Sequence, residues 1–356
     1  MRTHLLWDAF MPTPARVEPS RLRDFDQLLA AASDLSLRVI PVLFMQTLGG
    51  CVMLPAYAID VDARRGGVRA VMNAVVQPGG PRYLYTDPLM LETSVRWIDT
   101  MLAEFAGHPA IAMWDIGHDP AGGVRPRRID DLRAWVSLVA GRIHDRGQRC
   151  MATLSASDMV IARAVRPAIV GELVDVLGID LAGEALAQVG GVADPAAAAF
   201  LLQLAQSLGG DAPLFAHLGA HQQRREPADG VDDDSPDTDA ASRRFADAAV
   251  DALVNLGAAG VMAAMWSNPG PRAVTTPPYD RNDDMRSLGV VDAGGVPTAF
   301  GSAWLEQARR ERERVDSAPW PQDLDITDYY ANLPESLHEL RAAWERGSGE
   351  HPAMLR

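Results

Sequence analysis

Short apolar segments alternate with longer amphipathic segments along most of the chain. The short segments have the length of strands, and the longer ones repeat apolar residues every three or four positions, as over 22–32 after a predicted cap at Ser20. This alternation predicts βα units built on a parallel sheet. The predicted strands are 2–10, 37–44, 111–116, 149–154, 174–179, 213–217 and 260–266. Further helices are predicted at 89–105, 130–146, 195–208, 240–256 and 334–344, with another charged helix after Arg309.

Repeated βα units of this length favour an α/β fold, the (β/α)8 TIM barrel, whose functional residues lie at the carboxyl ends of the strands. Seven strands are visible where the closed barrel has eight. Because the chain opens directly on a strand, we expect the first strand and helix to be missing from it; the alternative is a shortened barrel with an open seam. We expect the barrel to span 1–310 and a helical extension, 311–356, to pack on it. Residues 45–88 are predicted to be irregular and 222–238 to form a polar loop.

Composition narrows the classes of partner. With 356 residues, 47% of them hydrophobic, the chain can bury a large core. Its net charge of -14 and pI near 5.0 argue against nucleic acid, which requires a basic face. No segment has the roughly 20 apolar residues of a membrane span, and the first residues lack the pattern of a signal peptide, so a cytoplasmic location is expected for the chain as written. Cys51 and Cys150 are expected to be buried thiols.

Four segments carry motifs in a consistent order. They are RTHLLW at 2–7, HPAIAMWDIGHDP at 108–120, PLFAHLG at 213–219, and GAAG at 257–260 followed by Trp266. Together they resemble the second, fourth, seventh and eighth strands of the clan A glycoside hydrolases, especially the cellulase-like and β-mannosidase-like barrels. The family has Gly-Asn-Glu-Pro at the end of its fourth strand and a Glu in its seventh. This chain has Gly-His-Asp-Pro and a His at the matching places.

The resemblance implies a catalytic mechanism, and the residues at the matching positions imply that this chain has lost it. In the family, one Glu protonates the leaving oxygen while a second, about 5 to 5.5 Å away, attacks the anomeric carbon. The matching positions here are Asp119 for the acid/base and His217 for the nucleophile. An Asp reaches one methylene less far, and an imidazole forms no ordinary glycosyl ester. The Asn that holds the sugar 2-hydroxyl is replaced by His118. We therefore expect retaining catalysis to be lost and the chain to bind carbohydrate as a pseudoglycosidase.

The remaining candidates are substrate-binding positions, and no cofactor or metal is assigned to them. The full substrate-binding set is Arg2, His4, Trp114, His118, Asp180 and Trp266. The two tryptophans could stack on sugar rings, with a place in the core as the alternative. Arg2 is expected to face His217.

Two other chemistries stay open for the same residues. In the first, the chain is an active O-glycosyl hydrolase in which Asp119 is the general acid and His217 or Asp180 activates water, with inversion. Asp180 could equally be a helix cap or loop residue. In the second, His118, Asp119 and His217, with His4, hold a divalent metal. The sequence leaves open the sugar, the linkage, the oligomeric state and whether the chain is an enzyme.

Overall fold

The computed structural model describes residues 1–44, 47–63, 67–120, 122–162, 164–181, 184–219, 236–281, 284–312, 315 and 319–350. The strands are β1 (Arg2–His4), β2 (Ile40–Val42), β3 (Cys51–Met53), β4 (Ile59–Asp60), β5 (Arg69–Met72), β6 (Val75–Val76), β7 (Gly80–Pro81), β8 (Trp114–His118), β9 (Cys150–Ser155), β10 (Val176–Leu181), β11 (Leu214–Leu218), β12 (Gly260–Ala263), β13 (Met265–Ser267) and β14 (Gly289–Val291). The α-helices are α1 (Trp7–Phe10), α2 (Pro19–Asp34), α3 (Pro88–Phe105), α4 (Ile129–His144), α5 (Ser157–Val160), α6 (Pro167–Gly171), α7 (Glu184–Gln188), α8 (Pro195–Gly209), α9 (Pro236–Asn255), α10 (Ala299–Ala308), α11 (Ile326–Ala331) and α12 (Glu335–Glu350).

The main sheet has seven strands in the order β1-β2-β8-β9-β10-β11-β12. The registered pairs β1 with β2, β2 with β8, β8 with β9, and β11 with β12 are all parallel. Apart from the excursion that carries β3 to β7, sheet order follows chain order, as in a (β/α) barrel. The seven predicted strands are therefore confirmed as members of one parallel sheet.

The chain divides into two compact units. Unit 1 consists of Met1–Leu154, Ala164–Leu177 and Thr276–Arg281, and unit 2 of Ser155–Arg163, Gly178–Thr275 and Asn282–Arg356. Within unit 2, the tyrosine hydroxyls of α11 donate to backbone oxygens of α5, and Trp344 of α12 donates to Gln203 of α8. The predicted domain boundaries, 1–310 and 311–356, stay a prediction.

Helix α3 illustrates how local sequence sets an element. Asp87 accepts hydrogen bonds from the backbone N–H groups of Leu89 and Met90, a cap that contributes about 1 kcal/mol, and Pro88 occupies the first turn, where no N–H is needed. The apolar positions repeat at helical spacing and bury one face, which includes Trp97 and Met101. The predicted helix 89–105 is confirmed within one residue.

Several predicted elements are wrong in extent. Predicted strand 2–10 ends at His4 and is followed by helix α1, because an apolar run this short fits either structure. Predicted strand 260–266 divides into β12 and β13, and β13 pairs with β14 in a separate sheet. Residues 45–88 are not irregular throughout, since β3 to β7 form two small sheets there.

Three further corrections concern helices and a loop. Ser20 does not cap α2, which begins at Pro19 and has no side-chain cap. No helix follows Arg309 over 309–312, because α10 ends at Ala308. The predicted loop 222–238 lies outside the described residues up to 235, and its last three residues begin α9. Among the described residues, no helix has the length and apolar character to cross a bilayer.

Candidate functional site

A fully buried carboxylate, Asp115, organises the polar residues of unit 1 around strand β8. Its Oδ2 atom accepts from Nε of Arg2 at 2.8 Å and from Oγ1 of Thr153 at 2.8 Å, and its Oδ1 atom accepts from the backbone N–H of Gly117 at 2.9 Å. The Arg2 side chain is itself nearly buried. A charge with no solvent contact requires compensation of this kind, so Arg2 and Asp115 form one neutral unit.

Two imidazoles lie beside this ion pair. Nη1 of Arg2 is 3.3 Å from Nδ1 of His118, and because a guanidinium can only donate, Nδ1 is the acceptor when the two form a hydrogen bond. The ring of His4 meets that of His118 edge to face at 5.4 Å. Burial, with a smaller contribution from the charge of Arg2, lowers the pKa of His4 to about 3. The ring of His4 is thus uncharged at neutral pH.

Asp119 follows β8 in a left-handed backbone conformation, with φ of 49°. Asp is among the few non-glycine residues that adopt this region readily. Its backbone N–H donates to Thr153 at 2.8 Å, and its Oδ2 atom accepts from Oγ1 of Thr47 at 2.9 Å. A Cβ at Gly122 would collide with Oδ2 of Asp119 and Oγ1 of Thr47, so a glycine is required there for this hydrogen bond.

The register of β8 against β9 shifts between Asp115 and His118. An irregularity of this type re-aims the side chains that follow it and is common next to functional sites. The hydroxyl of Tyr85 lies within hydrogen-bond distance of the carbonyl oxygens of Pro120 and Val124 and so holds the turn that follows Asp119. The carboxyl end of β8 is therefore held by the hydrogen bonds of Asp119 with Thr47 and Thr153 and by the contacts of Tyr85 with the turn that follows.

Unit 2 carries the other predicted site residues on its own strands. His217 is buried in β11 and pairs with Met262 of β12. Asp180 lies in β10, where its backbone oxygen accepts from the N–H of Ala156, so it is neither a helix cap nor a loop residue. Trp266, in β13, is 69% exposed and offers an aromatic face to solvent.

Solved structures similar to this chain include a GH5_18 protein, an exo-β-1,4-mannosidase and an endoglycoceramidase. A GH5_18 protein from Streptomyces cattleya in complex with GlcNAc has a TM-score of 0.70 at 18% identity, covering 89% of this chain and 72% of its own. The exo-β-1,4-mannosidase Op5Man5 from Opitutaceae bacterium strain TAV5 has a TM-score of 0.67 at 20% identity, covering 86% and 52%. Endoglycoceramidase II from Rhodococcus sp. has a TM-score of 0.55 at 14% identity, covering 85% and 69%. No protein-family model and no curated protein matches the chain.

This chain has the (β/α)-barrel fold of these glycoside hydrolases. The fold class predicted from the repeated βα units is thereby confirmed, and the order of strands in the main sheet agrees with it. Identities of 20% or less establish the fold alone, so the assignment of Asp119 and His217 to the acid/base and nucleophile positions stays a prediction from the motifs.

Within this glycosidase-like fold, the core position left open as the alternative for Trp114 is the one observed. Trp114 has no exposed surface, so its indole belongs to the core and cannot stack on a sugar. Arg2 is ion-paired with Asp115 and contacts His118, while its expected position facing His217 stays a prediction. Its charge is therefore already balanced within unit 1.

Sequence reasoning missed three residues that hold the site together. Asp115 carried a signal, because a charged residue inside an apolar strand requires a buried partner. Thr47 and Thr153 carried none, since a single threonine is ordinary in a loop or a strand. The structure brings Arg2 and His4 together with His118, and their assignment to substrate binding stays a prediction.

Proposed function

We propose that this protein is a carbohydrate-binding member of the clan A fold that no longer carries out retaining glycoside hydrolysis. The observation that carries the proposal is the pair of substitutions at the two motif positions, Asp119 for the acid/base Glu and His217 for the nucleophilic Glu. The retaining reaction needs a carboxylate at the second position to form the glycosyl-enzyme. An imidazole at that position cannot form the equivalent glycosyl ester.

The local chemistry around β8 supports sugar recognition. Two imidazoles, of which that of His4 is neutral, one neutralised ion pair and one carboxylate offer donors and acceptors for hydroxyl groups. In the described residues, Nη2 of Arg2 and Nε2 of His4 are buried and have no hydrogen-bond partner. A buried polar atom without a partner costs about 1 to 3 kcal/mol, so a ligand rich in hydroxyl groups would stabilise both.

An aromatic face contributes independently in unit 2. Most tryptophans of a folded domain are largely buried, whereas Trp266 exposes 69% of its surface. Flat aromatic faces suit the apolar faces of sugar rings. The solved neighbours include GH5_18 proteins in complex with GlcNAc and with Manβ1-4GlcNAc, which makes these two sugars the first ligands to test.

The first experiment separates binding from turnover. The protein is titrated calorimetrically with GlcNAc and Manβ1-4GlcNAc, and incubated in parallel with aryl β-glycosides, β-glucan and mannan. We expect saturable binding that falls tenfold or more in Trp266→Ala, without release of the aryl group. The exposed Val296→Ala, also in unit 2, is the matched control and should bind like the parent protein. Substantial turnover that disappears in Asp119→Ala would contradict the proposal.

A second candidate function uses the same carboxylate. Asp119 keeps a carboxyl group at the end of β8, oriented by Thr47, so it could act as the acid of an inverting hydrolase in which water is activated by His217 or Asp180. This alternative predicts Asp119-dependent turnover with a product of inverted anomeric configuration, measurable by proton NMR during the first minutes of reaction. Turnover without inversion would exclude it.

A further inference from the structure

Three side chains of unit 1 converge at the amino ends of two strands. His144 is the last residue of α4, Cys150 is the first residue of β9, and Asp175 immediately precedes β10. The ligand atoms of the three lie within 4.8 Å of one another. This cluster is at the opposite end of the strands from Asp119 and takes no part in the proposed sugar site.

The contacts are short and the backbone fixes them. Nε2 of His144 is 2.9 Å from Oδ2 of Asp175 and 3.4 Å from Sγ of Cys150. The backbone N–H of Cys150 donates to Oδ2 of Asp175 at 2.8 Å, and the N–H of Asp175 donates to the carbonyl of Cys150 at 2.9 Å. Two strand starts and a helix end therefore hold the three side chains in place.

The arrangement does not fit a nucleophilic Cys-His-Asp relay. In a relay, the thiol and the carboxylate hold opposite nitrogens of the imidazole, whereas here both approach Nε2. One imidazole nitrogen carries either one proton or one lone pair and cannot serve both partners well.

Convergence of three different donors on one point is the geometry of a metal site. We propose that His144, Cys150 and Asp175 bind one zinc ion, with water as the fourth ligand. Zinc bonds of about 2.0 to 2.3 Å at tetrahedral angles place neighbouring donors about 3.3 to 3.6 Å apart. The two contacts made by Nε2 differ from this range by less than about 0.5 Å, which side-chain adjustment can supply.

The ligand set and its surroundings favour zinc over the other common ions. A thiolate with an imidazole and a carboxylate suits zinc, whereas calcium and magnesium prefer all-oxygen sites. Cys150 is buried, while the side chains of His144 and Asp175 are partly exposed, which leaves an approach for the ion and room for a water ligand. The amino ends of barrel strands serve stability rather than catalysis, so a structural role is inferred.

Cobalt substitution in the full-length protein tests the site. After removal of metals, titration with Co²⁺ should reach one equivalent and produce a thiolate-to-cobalt charge-transfer band, which an equivalent of Zn²⁺ should abolish by displacement. Cys150→Ser should lose the band. Cys51→Ser, which alters the other buried cysteine of unit 1, is the matched control and should keep it. Zinc should raise the melting temperature of the parent protein.

His144→Gln is a second test variant that is expected to fold like the parent protein, because the His144 side chain is partly exposed. It should weaken zinc binding tenfold or more and remove the zinc-dependent rise in melting temperature while keeping the far-ultraviolet circular dichroism of the parent. Absence of the charge-transfer band in the parent protein, its survival in Cys150→Ser, or unchanged zinc affinity in His144→Gln would each overturn the proposal. None of these results depends on sugar binding.

Discussion

Replacing Asp115 with asparagine tests whether the buried ion pair organises the site in unit 1. The substitution keeps the shape of the side chain and one acceptor for the N–H of Gly117, but it turns an NH2 group or a neutral oxygen toward Arg2. The guanidinium would then lie almost fully buried without a counter-charge. Breaking a buried pair in this way costs about 3 to 5 kcal/mol.

Chemical denaturation followed by circular dichroism measures this cost. Asp115→Asn should lower the free energy of unfolding by about 3 kcal/mol or more. Asp24→Asn, which removes the partner of Arg21 from an exposed pair of 3.0 Å, should change it by less than about 1 kcal/mol. The two substitutions are chemically identical and differ in burial.

A double variant distinguishes the cost of the unpaired buried charge from the cost of disturbing the packing of β8. If the unpaired charge is the main cost, Arg2→Met combined with Asp115→Asn should be at least about 1 kcal/mol more stable than Asp115→Asn alone. The reasoning is refuted if Asp115→Asn is no worse than the exposed control, or if the double variant is as unstable as the sum of the single ones.

Two further predictions concern protonation and packing. In the folded protein the pKa of His4 is lowered to about 3 from 6.5, so the stability that its neutral form contributes is present above pH 6.5 and is lost as the pH falls, by up to about 2 kcal/mol at pH 5. Chemical denaturation above pH 6.5 and at pH 5 should show that this loss of unfolding free energy is smaller in His4→Gln and unchanged in the exposed His338→Gln. A Cβ at Gly301 would collide with the carbonyl oxygen of Val290, whereas one at Gly141 of helix α4 meets nothing within 4 Å. Melting curves should therefore show Gly301→Ala strongly destabilised and Gly141→Ala slightly stabilised, by up to about 1 kcal/mol, and equal effects would contradict this packing argument.

Periodicity in the sequence was sufficient for the long helices and the core strands. Helix α3 was predictable because Asp87, Pro88 and a regular apolar face all indicate the same structure. The end of the strand that begins at Arg2 was not predictable, because a helical turn after β1 and a longer strand would bury similar apolar residues. Tertiary packing decides such short segments.

The site was predictable in its residue types and less so in its contacts. Sequence motifs indicated His118 and Asp119, but the pairing of Arg2 with Asp115 depends on strand register, which a one-residue shift would reverse. Trp114 and Trp266 are alike in sequence as tryptophans in predicted strands, yet one is fully buried and the other exposed. Trp114 lies in the main sheet and Trp266 in the separate sheet of β13 and β14, a division that the apolar run 260–266 does not predict.

Incubation of the protein with Manβ1-4GlcNAc under conditions of saturating binding tests the central claim most directly. The disaccharide and its possible products, mannose and GlcNAc, are followed by NMR for many hours beside Asp119→Ala. The account predicts a bound disaccharide that stays intact in both samples, with binding lost in Trp266→Ala. Release of mannose by the parent protein but not by Asp119→Ala would contradict it.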